Sequence, residues 1–124
     1  MLKYEKILKY IEIFEQDNNY GEWHGGLEDK QPGEIMTWPY VSYSKNVINF
    51  LDDVYNNELI DFDYLTNHKE IEDKSIDDYT IENVLTELTF YIRGDRFCDG
   101  LLYGAFEDGT ILKLLKILKE RVDE

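Results

Sequence analysis

Hydrophobic residues recur every three or four positions in several stretches of the chain, which is the spacing that an amphipathic helix needs to bury one face. The first stretch spans residues 2–14, and its apolar positions are Leu2, Ile7, Leu8, Ile11 and Phe14. Thr110 opens the last stretch, whose inward positions are Ile111, Leu114, Leu115 and Leu118. Both patterns predict helices that pack against a common core.

Another helix is predicted after Ser44, because serine is a favoured N-cap residue. It extends to about Asn57, and its predicted inner side carries Val47, Ile48, Leu51, Val54 and Tyr55. The acidic residues 59–79 have only scattered apolar positions and predict a short helix near residues 66–73.

The longest apolar stretch begins after Thr80, a second favoured N-cap, and extends to Phe106. It is apolar on several sides, so we expect a helix that is largely buried. Gly94, Gly100 and Gly104 make a break or a kink in this helix the alternative to one helix of full length.

Helical periodicity is missing from residues 17–38, which are rich in Asn, Gly, Asp and Gln and predict a long loop. Trp23 and Trp38 either pin this loop to the body or offer a stacking surface. Residues 38–43 favour an extended path, because a proline disfavours a helix before it and Val41 prefers a strand. We therefore expect a mainly α fold: a compact single-domain helical bundle of residues 1–124, with a buried long helix and a long irregular N-terminal loop.

The net charge of the chain limits the classes of partner that it can bind. It has 27 acidic and 13 basic residues, a formal net charge of -14, which argues against direct binding to nucleic acid or to an anionic membrane. A basic protein partner fits better, and a homo-oligomer is compatible with this composition. No apolar run approaches the roughly 20 residues of a membrane-spanning helix, so we expect a cytoplasmic protein.

Residue types that carry catalysis or bind metals give little signal. Cys98 is the single cysteine, and His24 and His68 are too far apart in sequence for a zinc-ligand spacing, so no metal or cofactor is predicted. The chain has no glycine-rich phosphate loop with its lysine, no Gly-x-Ser-x-Gly and no His-Glu-x-x-His. A non-enzymatic protein is favoured over a catalyst.

Two of the three arginines, Arg93 and Arg96, lie three residues apart inside the longest apolar stretch. Their planar guanidinium groups suit carboxylate or phosphate. On a continuous helix they share one stripe with Thr86, Thr89, Phe97, Gly100 and Gly104. Because buried charges must be paired, two alternatives are open. Pairs with Asp95, Asp99 or other carboxylates lock the core, or such pairs hold one arginine ready for an anionic ligand.

Two parts of the sequence resemble an uncharacterised bacterial and phage family, domain of unknown function 6508. They are residues 39–44 with 50–55, and residues 93–100 with 109–113, and residues 3–11 also resemble it. The arginine block is the more specific: the family pattern is Arg-x-acidic-Arg-Phe-Cys-acidic-Gly, with Gly94 here where alanine is expected. The resemblance implies a mostly helical fold, a shared site around Arg93, Asp95, Arg96 and Asp99, and a bacterial or phage-infected host cell. It implies no activity.

These observations predict a binding protein whose pocket lies between the arginine stripe and residues 39–44. The candidate ligand-binding residues are Arg93, Arg96, Asp95, Asp99, Trp38, Tyr40, Tyr43 and Ser44. Aromatic rings would stack on a planar ligand and the helix start at Ser44 would face an anion, which fits a small anionic or nucleotide-derived ligand. In a phage setting, such a protein would sequester a defence signal.

The alternative is an acidic protein inhibitor or nucleic-acid mimic. The carboxylates of residues 52–78 would then cover a basic partner surface, and binding would weaken steeply with salt.

Overall fold

The computed structural model describes residues 2–24, 40–95 and 100–124. Its helices are α1 (Leu2–Leu8), α2 (Tyr10–Gln16), α3 (Lys45–Asn56), α4 (Tyr64–Ile71), α5 (Ile81–Gly94), α6 (Leu101–Glu107) and α7 (Thr110–Asp123). The strands are β1 (Gly21–His24) and β2 (Tyr40–Tyr43), and a 3₁₀ turn covers Ile76–Asp78. The predicted mainly α fold is confirmed. None of the described helices is long and apolar enough to cross a membrane.

Side-chain caps fix the starts of two predicted helices. Ser44 Oγ accepts a hydrogen bond from the Val47 amide at 3.4 Å at the start of α3. At the start of α5, the Thr80 amide donates to Asn83 Oδ1 at 3.1 Å and the Asn83 amide donates to Thr80 Oγ1 at 3.2 Å. These bonds satisfy amide groups that have no partner within the helix, and both N-cap predictions are confirmed.

Helix α7 contacts α1, α2, α5 and α6, and α5 also contacts α4 and α6. The apolar residues that α5 and α7 bury are Val84, Leu88, Ile92, Ile111, Leu114, Leu115, Ile117 and Leu118. Helices α2, α3 and α6 each add a phenylalanine ring. The centroid of Phe14 lies 5.7 Å from that of Phe50 and 5.1 Å from that of Phe106. The described elements therefore share one core.

Helix α3 is rotated about its axis relative to the prediction. Phe50 is fully buried, whereas Ile48 and Tyr55, both predicted to face inward, are 48% and 42% exposed. The buried residues Val47, Phe50 and Val54 follow a spacing of three and four. Tyr55 consequently lies on the outer face of α3.

The stretch after Thr80 forms two helices. Helix α5 ends at Gly94, and α6 starts at Leu101 after Gly100, whose φ of +89° is left-handed. Glycine adopts this conformation without the steric cost of a Cβ atom. The first predicted helix is likewise divided at Lys9 into α1 and α2. The break after Gly94 means that Arg93 and Gly100 do not lie on one continuous helix.

Strands β1 and β2 form an antiparallel hairpin in which Trp23 lies opposite Val41 and His24 lies opposite Tyr40. The extended prediction is confirmed at residues 40–43, and the loop prediction for residues 17–38 is wrong at β1. The rest of that loop, residues 25–38, lies outside the described residues. The Ser44 amide donates to the Tyr20 carbonyl at 2.9 Å, which fastens the hairpin to α3.

Candidate functional site

Asp95 joins the hairpin to the start of α6. Its Oδ2 accepts a hydrogen bond from the Tyr43 hydroxyl at 2.9 Å, across 52 positions of sequence. Its Oδ1 accepts from the Gly100 and Leu102 amides, both at 3.1 Å. The carboxylate thus satisfies amides at the beginning of α6, as an N-cap does. The structure brings together two predicted site residues, Asp95 and Tyr43. Both have a structural role, because their hydrogen bond links the hairpin to the start of α6.

Gly100 lies directly beneath an aromatic ring of β1. A Cβ atom at this position would come within 2.4 Å of two atoms of the Trp23 indole. Trp23 also makes an edge contact with Tyr103, at 6.2 Å between ring centroids. The contact leaves space only for a glycine, and Trp23 packs against the body of the protein, one of the two roles predicted for it.

Two more of the predicted site residues also have structural contacts. Ser44 caps α3, and the Tyr40 ring stacks on that of His24 with centroids 5.4 Å apart. Tyr40 remains exposed, so its outer ring face is accessible. Neither residue lines the pocket that contains Arg93.

Arg93 faces a different part of the molecule from Asp95. Its Cζ lies 5.3 Å from the centroid of the Phe62 ring, a cation–π geometry. Together with Tyr55, Glu58 and Ile60, these two residues line a pocket of 440 Å³, which we call the Arg93 pocket. Among the residues that the structure describes, no carboxylate forms an ion pair with Arg93, and its buried Nε has no hydrogen-bond partner. The pair with Asp95, one of the predicted alternatives, does not form.

A polar network holds the segment that carries Phe62. Asp61 Oδ2 accepts from the Thr86 hydroxyl at 2.6 Å and from Asn67 Nδ2 at 2.9 Å, and the Asp61 amide donates to Thr89 Oγ1 at 2.9 Å. Burial alone would raise the pKa of Asp61, but hydrogen bonds from Asn67, Thr86 and the Asp63 amide outweigh it and lower the pKa. Three positions of the predicted stripe, Thr86, Thr89 and Arg93, therefore all contact residues 61–62.

The remaining predicted site residues of the arginine block and the loop lie outside the described parts of the chain. They are Arg96, Asp99 and Trp38. Their predicted roles stay predictions. Within residues 93–100, the structure assigns contacts to Arg93, Asp95 and Gly100.

Comparison with known families agrees with the sequence resemblance. The model of a family of unknown function, DUF6508, matches residues 2–124. The chain belongs to this family. No curated protein and no solved structure matches it.

Sequence reasoning missed several residues of the Arg93 pocket in this DUF6508 chain. Phe62 was one of the scattered apolar residues of an acidic segment, yet it is 80% exposed. Tyr55 was assigned to the inner side of α3. The sequence contains no clear signal for this exposure: Phe62 is flanked by Asp61 and Asp63, and an apolar residue between two polar ones is also the pattern of a half-buried strand.

A second polar cluster of the DUF6508 chain was also missed. His68 Nδ1 lies 3.0 and 3.1 Å from the two carboxylate oxygens of the buried Glu87, and the Tyr79 hydroxyl donates to the same carboxylate at 3.2 Å. The His68 ring stacks on Phe90 with centroids 3.9 Å apart. These contacts fasten α4 to α5 and leave the Arg93 pocket as the better candidate for a binding site.

Proposed function

We propose that this protein is a non-enzymatic binding protein that takes a small anionic ligand with a planar ring in the Arg93 pocket. The observation that carries the proposal is the absence of any acidic partner for Arg93 among the described residues of a chain with a net charge of -14. With so many carboxylates available, an arginine that only stabilised the fold would be expected to pair with one.

Arg121 shows how a structural arginine is bound in the same molecule. Its Nε donates to the Tyr79 carbonyl at 2.8 Å, and its Nη2 donates to the Asp77 carbonyl at 2.7 Å. A third bond joins Nη1 to Glu124 at 3.2 Å. Arg93 has none of these contacts within the described chain, and a buried donor without a partner costs about 1–3 kcal/mol. Residues that break a structural rule in this way are common at functional sites.

The aromatic part of the pocket supports a ligand with a ring. Phe62 contacts Arg93 and is 80% exposed, so most of its surface is open to a ligand. Aromatic side chains favour stacked or edge contacts with planar groups, and an arginine beside them can bind the anionic group of the same molecule. A nucleotide-derived defence signal has both features, and sequestering it would be an anti-defence role.

The first test combines mass spectrometry of small molecules released on denaturation with a thermal-shift screen of nucleotides on the wild type and on Arg93→Lys. Lysine keeps the positive charge but loses the bidentate fork, so we expect ligand affinity to fall at least about tenfold. Arg121→Lys is the matched control: it should lower the unfolding temperature and leave the ligand-induced shift intact. Equal ligand shifts in wild type and Arg93→Lys would refute the proposal.

A second candidate function, the acidic inhibitor, is favoured by a different observation. Phe62 and Leu65 are 80% and 69% exposed within residues 52–78, which hold ten acidic residues and two lysines. Exposed apolar residues in an acidic surface suit a basic protein partner. Leu65 does not line the Arg93 pocket. Leu65→Ser should therefore abolish binding of such a partner, as should about 0.5 M salt, while small-ligand binding stays unchanged.

A further inference from the structure

We infer that the ligand of the Arg93 pocket carries a single negative charge beside a planar apolar ring system. Polyphosphates are then poor ligands, although they contain both an anion and a ring. This inference rests on the proposed function, because it concerns the chemistry of the same pocket.

The charged residues that line the pocket limit the negative charge that a ligand can carry. Among the five described residues that line the pocket, Arg93 is the one cation and Glu58 is the one carboxylate. The first negative charge of a ligand can pair with Arg93. A second negative charge finds no further cation among these described residues, and the Glu58 carboxylate that lines the same pocket repels it.

The segment next to the pocket adds further negative charge. Phe62 lies between Asp61 and Asp63 in sequence. Hydrogen bonds from Asn67 and Thr86 keep Asp61 in its ionised form, and Asp63 is exposed. The whole chain carries a net charge of -14, so its field also opposes a polyanion.

The rest of the lining is suited to an apolar ring. Tyr55, Ile60 and Phe62 supply one aliphatic and two aromatic side chains. The volume of 440 Å³ is within the range of about 300–1,000 Å³ that is usual for small-molecule sites. Aromatic monocarboxylates and cyclic phosphodiesters of nucleosides share the required chemistry, one negative charge beside a planar ring.

A series of adenine compounds tests the charge limit at constant ring structure. Adenosine, 3′,5′-cyclic AMP, AMP and ATP carry zero, one, about two and about four negative charges near neutral pH. Isothermal titration at fixed ionic strength should give the tightest binding for cyclic AMP, with a loss of about threefold or more for each added charge. Indole-3-carboxylate, measured in parallel, distinguishes a carboxylate ligand from a phosphodiester.

Glu58→Gln gives a second readout that a merely structural role would not move. Removing this carboxylate should improve the binding of AMP and ATP more than that of cyclic AMP. The differences in affinity between these compounds should therefore become smaller. The matched control is Glu12→Gln, since Glu12 lines a groove beside α2 and α7 instead. Glu12→Gln should leave the affinities for the four adenine compounds unchanged.

The outcomes separate the two proposals. ATP binding tightest, in an Arg93-dependent manner, would overturn the single-charge limit and leave the proposed function standing. Binding of indole-3-carboxylate alone would support the limit and identify a carboxylate ligand. If neither the adenine compounds nor indole-3-carboxylate bound, and no small molecule were released on denaturation, the proposed function and this inference would both fail.

Discussion

Gly100 is constrained twice, by its backbone and by the ring that covers it. Its φ is +89°, and the Trp23 indole occupies the space that a Cβ atom would need. Gly100→Ala should therefore lower the free energy of unfolding by about 2–4 kcal/mol, from the left-handed backbone and the steric overlap together. Urea denaturation followed by circular dichroism measures this change.

Gly104 is the matched control for that substitution. It lies inside α6, and a Cβ atom there would meet nothing within 4 Å. Gly104→Ala should raise the free energy of unfolding by about 0.5–1 kcal/mol, because alanine loses less backbone entropy in a helix. Similar losses in both variants would show that the Trp23 contact does not constrain Gly100.

At the scale of single residues, the sequence predicted which residues make specific contacts better than it predicted what each of them does. Arg93 and Asp95 belong to one motif, and helix spacing places them on different sides without showing which of them binds to its own chain. Asp95 accepts three hydrogen bonds from its own chain, whereas Arg93 has no ion pair among the described residues. The difference arises from the break after Gly94 and from the hairpin, and both depend on tertiary contacts.

Helix α4 is the least buried of the longer helices. It has no buried residue, and polar contacts fasten it to α5. His68 pairs with Glu87 of α5, and Asn67 donates to Asp61, whose carboxylate also accepts from Thr86 of α5. Elements with few buried apolar contacts open at low free-energy cost. We therefore expect α4 to exchange its amide hydrogens faster than α5 or α7.

Glu87→Gln should weaken this attachment. The charged acceptor for His68 and Tyr79 becomes a neutral amide, and because His68 is partly exposed the loss should be about 1 kcal/mol. Hydrogen exchange by mass spectrometry should show α4 amides exchanging about fivefold faster. The control is Glu82→Gln, at an exposed position of α5, the helix that also carries Glu87. Unchanged exchange in α4 would mean that the His68–Glu87 pair does not hold it.

The sequence predicted the elements whose signal lies in neighbouring residues. It did not predict the element that depends on contacts with residues far away in sequence. Ser44, Thr80 and Thr110 each mark a helix start that the structure contains. Strand β1 has little strand propensity of its own. It forms opposite β2, which lies 16 or more residues later, and packs through Trp23 against Gly100. Periodicity cannot detect such pairing, because it reads only neighbouring positions.

The whole molecule combines an acidic surface with a core rich in tyrosine. The chain has ten tyrosines, and burial is the main cause of a raised pKa at Tyr10, Tyr20, Tyr79 and Tyr91. For Tyr79, burial and the neighbouring Glu87 carboxylate raise the pKa to about 12. Each of these hydroxyls favours its neutral form in the folded state more than in the unfolded state.

This difference predicts the alkaline limit of stability. Because the folded pKa is above the unfolded value of about 10, the stabilisation is complete below that pH and is lost as the pH rises further. Unfolding free energy should thus decrease between about pH 10 and pH 12, and Tyr79→Phe should make the decrease shallower. Urea denaturation across this range, with tyrosinate absorbance as the probe of ionisation, measures both effects. Stability that stayed constant while the buried tyrosines ionised would show that they are accessible to solvent in the folded protein.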